Sequence, residues 1–475
     1  MEYQSLVYTV DEALANMGFG KFQALVLVYA GLGWFAEATE MMLISFVGSE
    51  VKSEWGLSSS EESLLSTVVF AGMLVGAYAW GVVSDNYGRR RGFLGTAVLT
   101  SGAGFLSTFS PNYILFLIFR FLVGMGLGSG SVFACWFLEF VPADNRGKWM
   151  VVFSSFWTFG TIFEVALAWI VMSRLSWRSL LAFSSLPSFV LLLFYCLAPE
   201  SPRYLCVKGN TTDAHRILEK IDIQDEEFAP KEEVPLLSST RKNTEEKRNC
   251  MPPVFMLFSS NLTRTTLLLW TFYFGNVFSY YGIILLTSEL SSSEGKCGST
   301  TWQSEGLQDA SLYIDVFITS LAELPGLLLS AILVDRIGRK LTFIIILTLA
   351  CIFLLPLAFY QSATLTTALL FGARMCAMGS ITVAYIYGPE IYPTSVRTTG
   401  IGVADAVGRI GGMICPLVAV GLVTSCHQTA AIILFEVVIV LSAICAFLFP
   451  YETKGQELID TVVVSKSKEA QVVGD

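Results

Sequence analysis

The sequence predicts an all-α, polytopic membrane protein whose twelve transmembrane helices form two pseudo-symmetric six-helix bundles. Three observations predict it. Of 475 residues, 53% are hydrophobic and only 15% charged, with a mean hydropathy of +0.61; a soluble chain of this length needs far more polar surface. Twelve apolar runs each approach the roughly 20 residues that carry a helix through a bilayer. An internal repeat relates the two halves.

The chain begins MEYQSLVYTVDEALANMGFGKFQ, which carries Asp11 and Glu12 and no apolar run, so it does not read as a signal peptide. The first span, about 22–48, must then direct insertion itself. Spans follow at about 64–83, 93–109, 112–138, 149–172 and 180–198, completing an N-terminal bundle over residues 1–198. Backbone groups in lipid must hydrogen-bond within their own segment, so helices are the reading of such runs. Residues 199–264 form a polar linker; TTDAHRILEKI near its start reads as a short amphipathic helix and the remainder as disordered. Spans at about 265–287, 312–334, 341–360, 365–388, 397–424 and 427–449 make a C-terminal bundle, 265–450, followed by a tail, 451–475.

Lys and Arg set the orientation. With the N-terminus inside, 23 of the 30 fall in cytoplasmic segments, four in outer loops, and Arg120, Arg374 and Arg409 lie within spans. Both termini are therefore expected in the cytoplasm. Glu232-Glu-Val-Pro-Leu236-Leu237 is an acidic dileucine in the linker, where an adaptor would read it; the expected location is a plasma or vacuolar membrane. Cys297 and Cys426 fall in or near outer loops, where a disulfide is permitted.

Composition also excludes functions. A net charge of −9 offers no basic footprint for nucleic acid. The ten cysteines show no zinc spacing and no CxxC, and HExxH, Walker and dinucleotide signatures are missing from the sequence, so neither metal, cofactor nor enzyme is expected. The run GSGS, Gly128 to Ser131, lies inside an apolar helix rather than at a nucleophile elbow.

The repeat is carried by two motifs. Asp85-Asn-Tyr-Gly88-Arg89-Arg90 matches Asp335-Arg-Ile-Gly338-Arg339-Lys340, and Glu139-x-x-Pro142-x-x-x-Arg146 matches Glu390-x-x-Pro393-x-x-x-Arg397, at nearly one offset. These charges cluster in short cytoplasmic turns, where a network of individually weak pairs would bias inward-closed against inward-open states. The alternative is a positive-inside anchor alone.

These residues resemble the major facilitator superfamily. GVVSDNYGRRRG, Gly81 to Gly92, is similar to its cytoplasmic loop signature. Arg120-FLV-Gly124-M-Gly126, Trp177-Arg178, Pro199-Glu200-Ser201-Pro202-Arg203 and Glu452-Thr453-Lys454-Gly455 resemble its sugar-porter and organic-ion branches. DEALANMGFGKFQ, FAGMLVGAY, YIYGPEIYPTSVRTTG and GRIGGMICPLVAVGLV look like plant nicotinate (NiaP-like) transporters, also called organic cation/carnitine transporters. The resemblance implies a carrier of small charged organic solutes.

Charges inside spans usually face a cavity or a partner, since each costs at least roughly 2.5–3.5 kcal/mol at mid-bilayer. Glu37 and Glu40 are i, i+3 on the first helix. Two close carboxylates cannot both ionise cheaply, which suits a proton carrier. Resemblance to proton-coupled sugar porters implies Glu40 as that carrier, with Arg120 on the fourth helix as its partner; Glu37 stays an alternative, and so does a static ion pair. Asn276, Tyr280 and Tyr281 are similar to an Asn-x-x-x-Tyr-Tyr that lines the substrate site of sugar porters. Arg409, one turn after Asp405, reads either as an intrahelical salt bridge or as a carboxylate clamp; the resemblance adds that cation carriers hold Asp at its position and anion or carnitine carriers Arg. Glu164 and Glu323 are candidates for offsetting a positive substrate group. Trp34, Trp157 and Phe274 read as packing. The expected function is secondary transport, proton-coupled, of a small carboxylate or zwitterion such as nicotinate, its N-methyl betaine or carnitine. The rivals are a facilitative organic-cation carrier and a transport-inactive receptor or scaffold of the same fold.

Overall fold

The computed structural model describes residues 10–142, 146–172, 174–224, 253–259, 262–293, 317–359, 362–424, 427–456 and 458. Leu236, Leu237, Cys297, Cys426 and most of the polar linker lie outside these residues. Among the described residues all regular structure is helical. Twelve rods stand where the spans were expected. They are α1 Lys21–Trp55, α2 Ser59–Tyr87, α3 Arg89–Ser107, α4 Tyr113–Leu138, α5 Arg146–Met172, α6 Trp177–Leu193, α7 Thr263–Ser293, α8 Phe317–Ile337, α9 Arg339–Leu354, α10 Ala363–Ile391, α11 Arg397–Thr424 and α12 Gln428–Leu448. Among the described residues nine of them are long and apolar enough to cross a membrane. The other three are α3, which opens on three arginines, α6, which is short, and α11, which carries Arg397, Asp405 and Arg409. The expected linker helix is present at Thr211–Gln224.

Several boundaries differ from expectation, and three of the differences have a local reason. α3 starts at Arg89 rather than 93, because Gly88 turns the chain at φ 105° and the Glu200 carboxylate accepts from the freed N–H groups of Arg89 and Arg90 at 2.8 and 3.3 Å. α4 was expected to be continuous; it breaks at Gly128–Ser129. α6 starts earlier, at Trp177, and is interrupted at Ser185 just before Pro187.

In the first half α1 packs on α5, while α2 and α3 pack on α4; in the second, α7 packs on α10, α11 and α12, and α10 on α8 and α9. Two seams join the halves, α2 against α11 and α5 against α8. Small residues set the closest approach, as is usual where lipid supplies no hydrophobic drive between helices. Gly72 and Gly76 of α2 interlock with Gly124 and Gly128 of α4, so a β-carbon at Gly76 would collide with the Met125 carbonyl. Gly76→Ala should therefore destabilise the fold by about 1–3 kcal/mol through overpacking, read as a lower melting temperature in detergent. Gly102→Ala is the control, since a β-carbon there meets nothing within 4 Å.

Candidate functional site

A cavity of about 600 Å³, its opening included, lies where α1 and α5 face α7, α10 and α11. Its wall is aromatic: Trp34, Trp157, Tyr273, Tyr280, Tyr281 and Tyr385 all contribute. Trp34 sits 5.1 Å from the rings of both Trp157 and Tyr385, the latter edge-on. Trp34 and Trp157 are buried and pack as expected, and they also border the cavity; helical spacing alone cannot tell a cavity-facing ring from a lipid- or core-facing one. Phe274 packs as well, stacked on Phe278.

Arg409 and Asp405 both line this cavity. One turn of α11 separates them, and Arg409 Nη2 donates to Asp405 Oδ2 at 3.3 Å. Arg409 Nη1 donates to the Tyr281 hydroxyl at 3.2 Å, while its buried Nε finds no partner among the described residues. Tyr281 in turn meets Phe70 of α2 edge-on, 5.1 Å between ring centres. The guanidinium is thus oriented by an acid and a phenol yet keeps a donor in reserve.

Asn276 and Tyr280 also line the cavity but are already engaged. Asn276 Oδ1 accepts from Ser380 Oγ at 2.6 Å. The Tyr280 hydroxyl donates to Glu323 at 2.8 Å, and Glu323 is paired with Arg374 at 2.9 Å. Thr158 of α5 donates to the other Glu323 oxygen at 3.2 Å, so this acid ties α5 to α8. Glu323 and Glu164 are not among the residues that line this cavity. A partner 51 residues away in sequence gives no local signal. Tyr280→Phe removes a buried donor and should cost about 1–3 kcal/mol, measured by thermal unfolding in detergent.

Glu40 and Arg120 meet as the resemblance implied: Arg120 Nη1 donates to Glu40 Oε2 at 3.2 Å, and both are buried. Ser107 accepts from Arg120 Nη2 at 2.6 Å. Glu37 has a different neighbour, the Ser129 hydroxyl, which donates at 2.5 Å from the break in α4. Part of GSGS, read in sequence as mere apolar helix, is therefore the turn that gives Glu37 its hydrogen bond. Arg409 and Asp405 also act electrostatically on Glu37.

The repeated motifs meet at the basic end of the bundle. Asp85 accepts from Arg89 at 3.0 Å, from the Thr399 amide at 2.6 Å and from the Thr398 hydroxyl. Arg89 grips Glu139 with two bonds, 2.9 and 3.2 Å, and Arg397 reaches the same carboxylate at 3.0 Å. Since residues 394–399 belong to the second half, this cluster fastens one half to the other. Burial works against the charge of Glu139, but Arg89 and Arg397 outweigh it and hold its carboxyl below the usual range. In the second half Arg339 grips Glu390 at 2.9 and 3.0 Å and lies 3.7 Å from Asp335. Arg146 donates to the Gln456 carbonyl at 3.3 Å. Arg90 lies over the Tyr195 ring of its own half, 4.7 Å away, so its side chain is directed away from the cross-half cluster. Glu452 accepts from the amides of Arg339 and Lys340 as Glu200 does at α3, placing a carboxylate at the positive end of each helix dipole. The sequence singled out both surrounding motifs without a role for these acids.

The chain is similar to known proteins over nearly its whole length. The sequence pattern of the family described as "Sugar (and other) transporter" matches residues 27–463. A protein of Arabidopsis thaliana named "Organic cation/carnitine transporter 7" is 55% identical, with 97% of each chain covered. A "Synaptic vesicle 2-related protein" of Xenopus laevis is 37% identical over 95% of this chain and 82% of that one. Among solved structures, the major facilitator superfamily proton:xylose symporter XylE bound to 6-bromo-6-deoxy-D-glucose matches with a TM-score of 0.72, covering 92% of this chain and 98% of that one at 18% identity. That likeness establishes the shared fold.

Proposed function

We propose, from the premise that the chain belongs to the sugar (and other) transporter family of major facilitator proteins, that it carries a small organic carboxylate or zwitterion by proton-coupled secondary transport. The protein is a multi-pass membrane transporter and not an enzyme. The observation that carries the substrate class is Arg409, a guanidinium that cannot escape burial by losing its proton and that lines the cavity. A carboxylate would share Arg409 with Asp405. A methylated or pyridinium nitrogen would sit among the rings, each good cation–π contact adding roughly 0.5–2 kcal/mol. Carnitine, which the Arabidopsis relative's name couples with organic cations, has both groups, as does N-methylnicotinate.

In this reading the bundles 1–198 and 265–450 rock about the cavity. The basic end is cytoplasmic, and the Asp85–Arg89–Glu139–Arg397 cluster keeps it shut in the outward-facing state. Glu40, released and recaptured by Arg120, carries the proton, with Glu37 nearer the substrate. The test is uptake into proteoliposomes of nicotinate, N-methylnicotinate, carnitine, choline and glucose, with and without a pH gradient. Choline accumulating ahead of every carboxylate would establish the facilitative cation carrier instead, and no uptake of any solute would favour the receptor. Glu40→Gln should abolish uphill accumulation while part of the counterflow exchange survives. Undiminished gradient-driven uptake in that variant would remove Glu40 from coupling.

A further inference from the structure

Glu40 is not the only buried acid in this part of the first half. Glu164 of α5 is fully buried and off the cavity wall, with Ser184 Oγ donating to its Oε1 at 2.7 Å and no partner for Oε2 among the described residues. Glu40 likewise has one satisfied oxygen, on Arg120, and one buried oxygen, Oε1, without a partner. The two carboxyls flank the break in α6. Glu40 Oε1 lies 2.9 Å from where a β-carbon on Gly104 would stand, and Ser185 Cβ lies 3.4 Å from the same point. Ser184, the next residue along, holds Glu164. The charge of Glu40 acts directly on Glu164.

The charged groups around Glu164 can be counted by element. α1 supplies Glu37, bonded to Ser129, and Glu40; α4 supplies Arg120. α3 has no charged residue beyond its opening arginines, and on α6 Arg178 is occupied by Glu54 at the opposite end of the bundle. α8 supplies Glu323, whose cation is Arg374 of α10. Of these groups the cation beside Glu40 is Arg120, which is bonded to Glu40, while the bond to Glu164 comes from the neutral Ser184. Two carboxylates against one buried cation leave a net charge in a medium where unpaired charge is expensive, and one proton on the pair removes it.

We infer that Glu164 is a second proton site of this transporter, taking up the transported proton together with Glu40 across the Ser184–Ser185 step. The inference rests on the proton-coupled reading above. With Arg120 on Glu40, the proton resides on Glu164 and the trio is neutral. When the proton leaves, the ionised Glu164 repels the carboxylate of Glu40, and that repulsion weakens the Glu40–Arg120 pair that holds α1 to α4.

The test reads protonation and transport separately on the full-length protein in liposomes. Infrared difference spectra between acidic and alkaline buffer report the carbonyl stretch of a buried protonated carboxyl, with no substrate needed. Wild type should show a titrating band that Glu164→Gln removes and Glu164→Asp restores at a displaced position. Gradient-driven uptake of carnitine and nicotinate should be lost in Glu164→Gln and partly recovered in Glu164→Asp. Should Glu164→Gln fail to assemble, Ser184→Ala keeps the carboxyl but deletes its donor, and should displace the band and the pH profile of uptake together. A band and profile unchanged in these variants, in a protein whose wild-type uptake follows the gradient, overturn the inference and leave coupling through Glu40 standing. Wild-type uptake indifferent to the gradient overturns both.

Discussion

Arg409→Asp should abolish uptake of carboxylate substrates and admit cations in their place. Among the described residues the cavity has one positive group on its wall, Arg409, held between Asp405 and Tyr281. Truncating one partner of a buried, hydrogen-bonded charge pair between binding partners typically costs about 2–5 kcal/mol, roughly one and a half to three and a half powers of ten in affinity. With Asp at position 409 beside Asp405, and Glu37 in range, the cavity would become strongly acidic. Arg409→Lys is the finer probe. It keeps the charge but loses the planar fork, so a carboxylate that bound in two-pronged fashion should weaken by about 1.5–3 kcal/mol. The measurement is competition by nicotinate, nicotinamide, carnitine and choline in variants matched for reconstituted protein. Nicotinamide has the ring of nicotinate without its charge. If it competes equally well in wild type, Arg409 does not read the carboxylate and is a structural partner of Asp405.

Where the helices run was legible because hydropathy reports burial in lipid directly, and the repeated turns fixed the division into halves. The Asp405–Arg409 contact was legible for a different reason: i, i+4 residues on a helix are neighbours whatever the tertiary fold. What stayed hidden required a third dimension. Glu323 sits between Arg374, Tyr280 and Thr158, from three other helices, and nothing in its own neighbourhood announces them. Trp34 and Trp157 are ordinary aromatics in apolar helices until the two halves close around them. Ser129 was obscured because glycine and serine within a long apolar run lower its hydropathy little, while the backbone there breaks to give Glu37 a hydroxyl.

Glu139→Gln should unlock the basic end. Glu139 is fully buried at the end of α4 and neutralises two guanidiniums at once, Arg89 from its own half and Arg397 from the other. Asp85 answers part of the charge on Arg89, and Arg397 also donates to the Pro389 and Tyr392 carbonyls. Loss of the carboxylate removes an ion pair that joins the two halves, and breaking a buried pair by removing one partner costs about 3–5 kcal/mol. A shift of that size reverses a two-state equilibrium that favours the closed end by a few kcal/mol. Acid should do the same, but late. A carboxyl held below its usual value of 4.5 contributes stability that is complete above that value and is lost only as pH falls through the lower, folded-state value. The Glu139 carboxylate should thus stay ionised across the neutral range. Spin labels on Asn86→Cys and Arg336→Cys, exposed positions at the ends of α2 and α8, would report the separation of the halves in a background free of other cysteines. Glu139→Gln should lengthen the main distance. Adding Arg397→Gln should restore part of the short population, because the guanidinium that faced the lost carboxylate is then gone too. If the single variant keeps the wild-type distance distribution, the cluster anchors the loops without latching the halves.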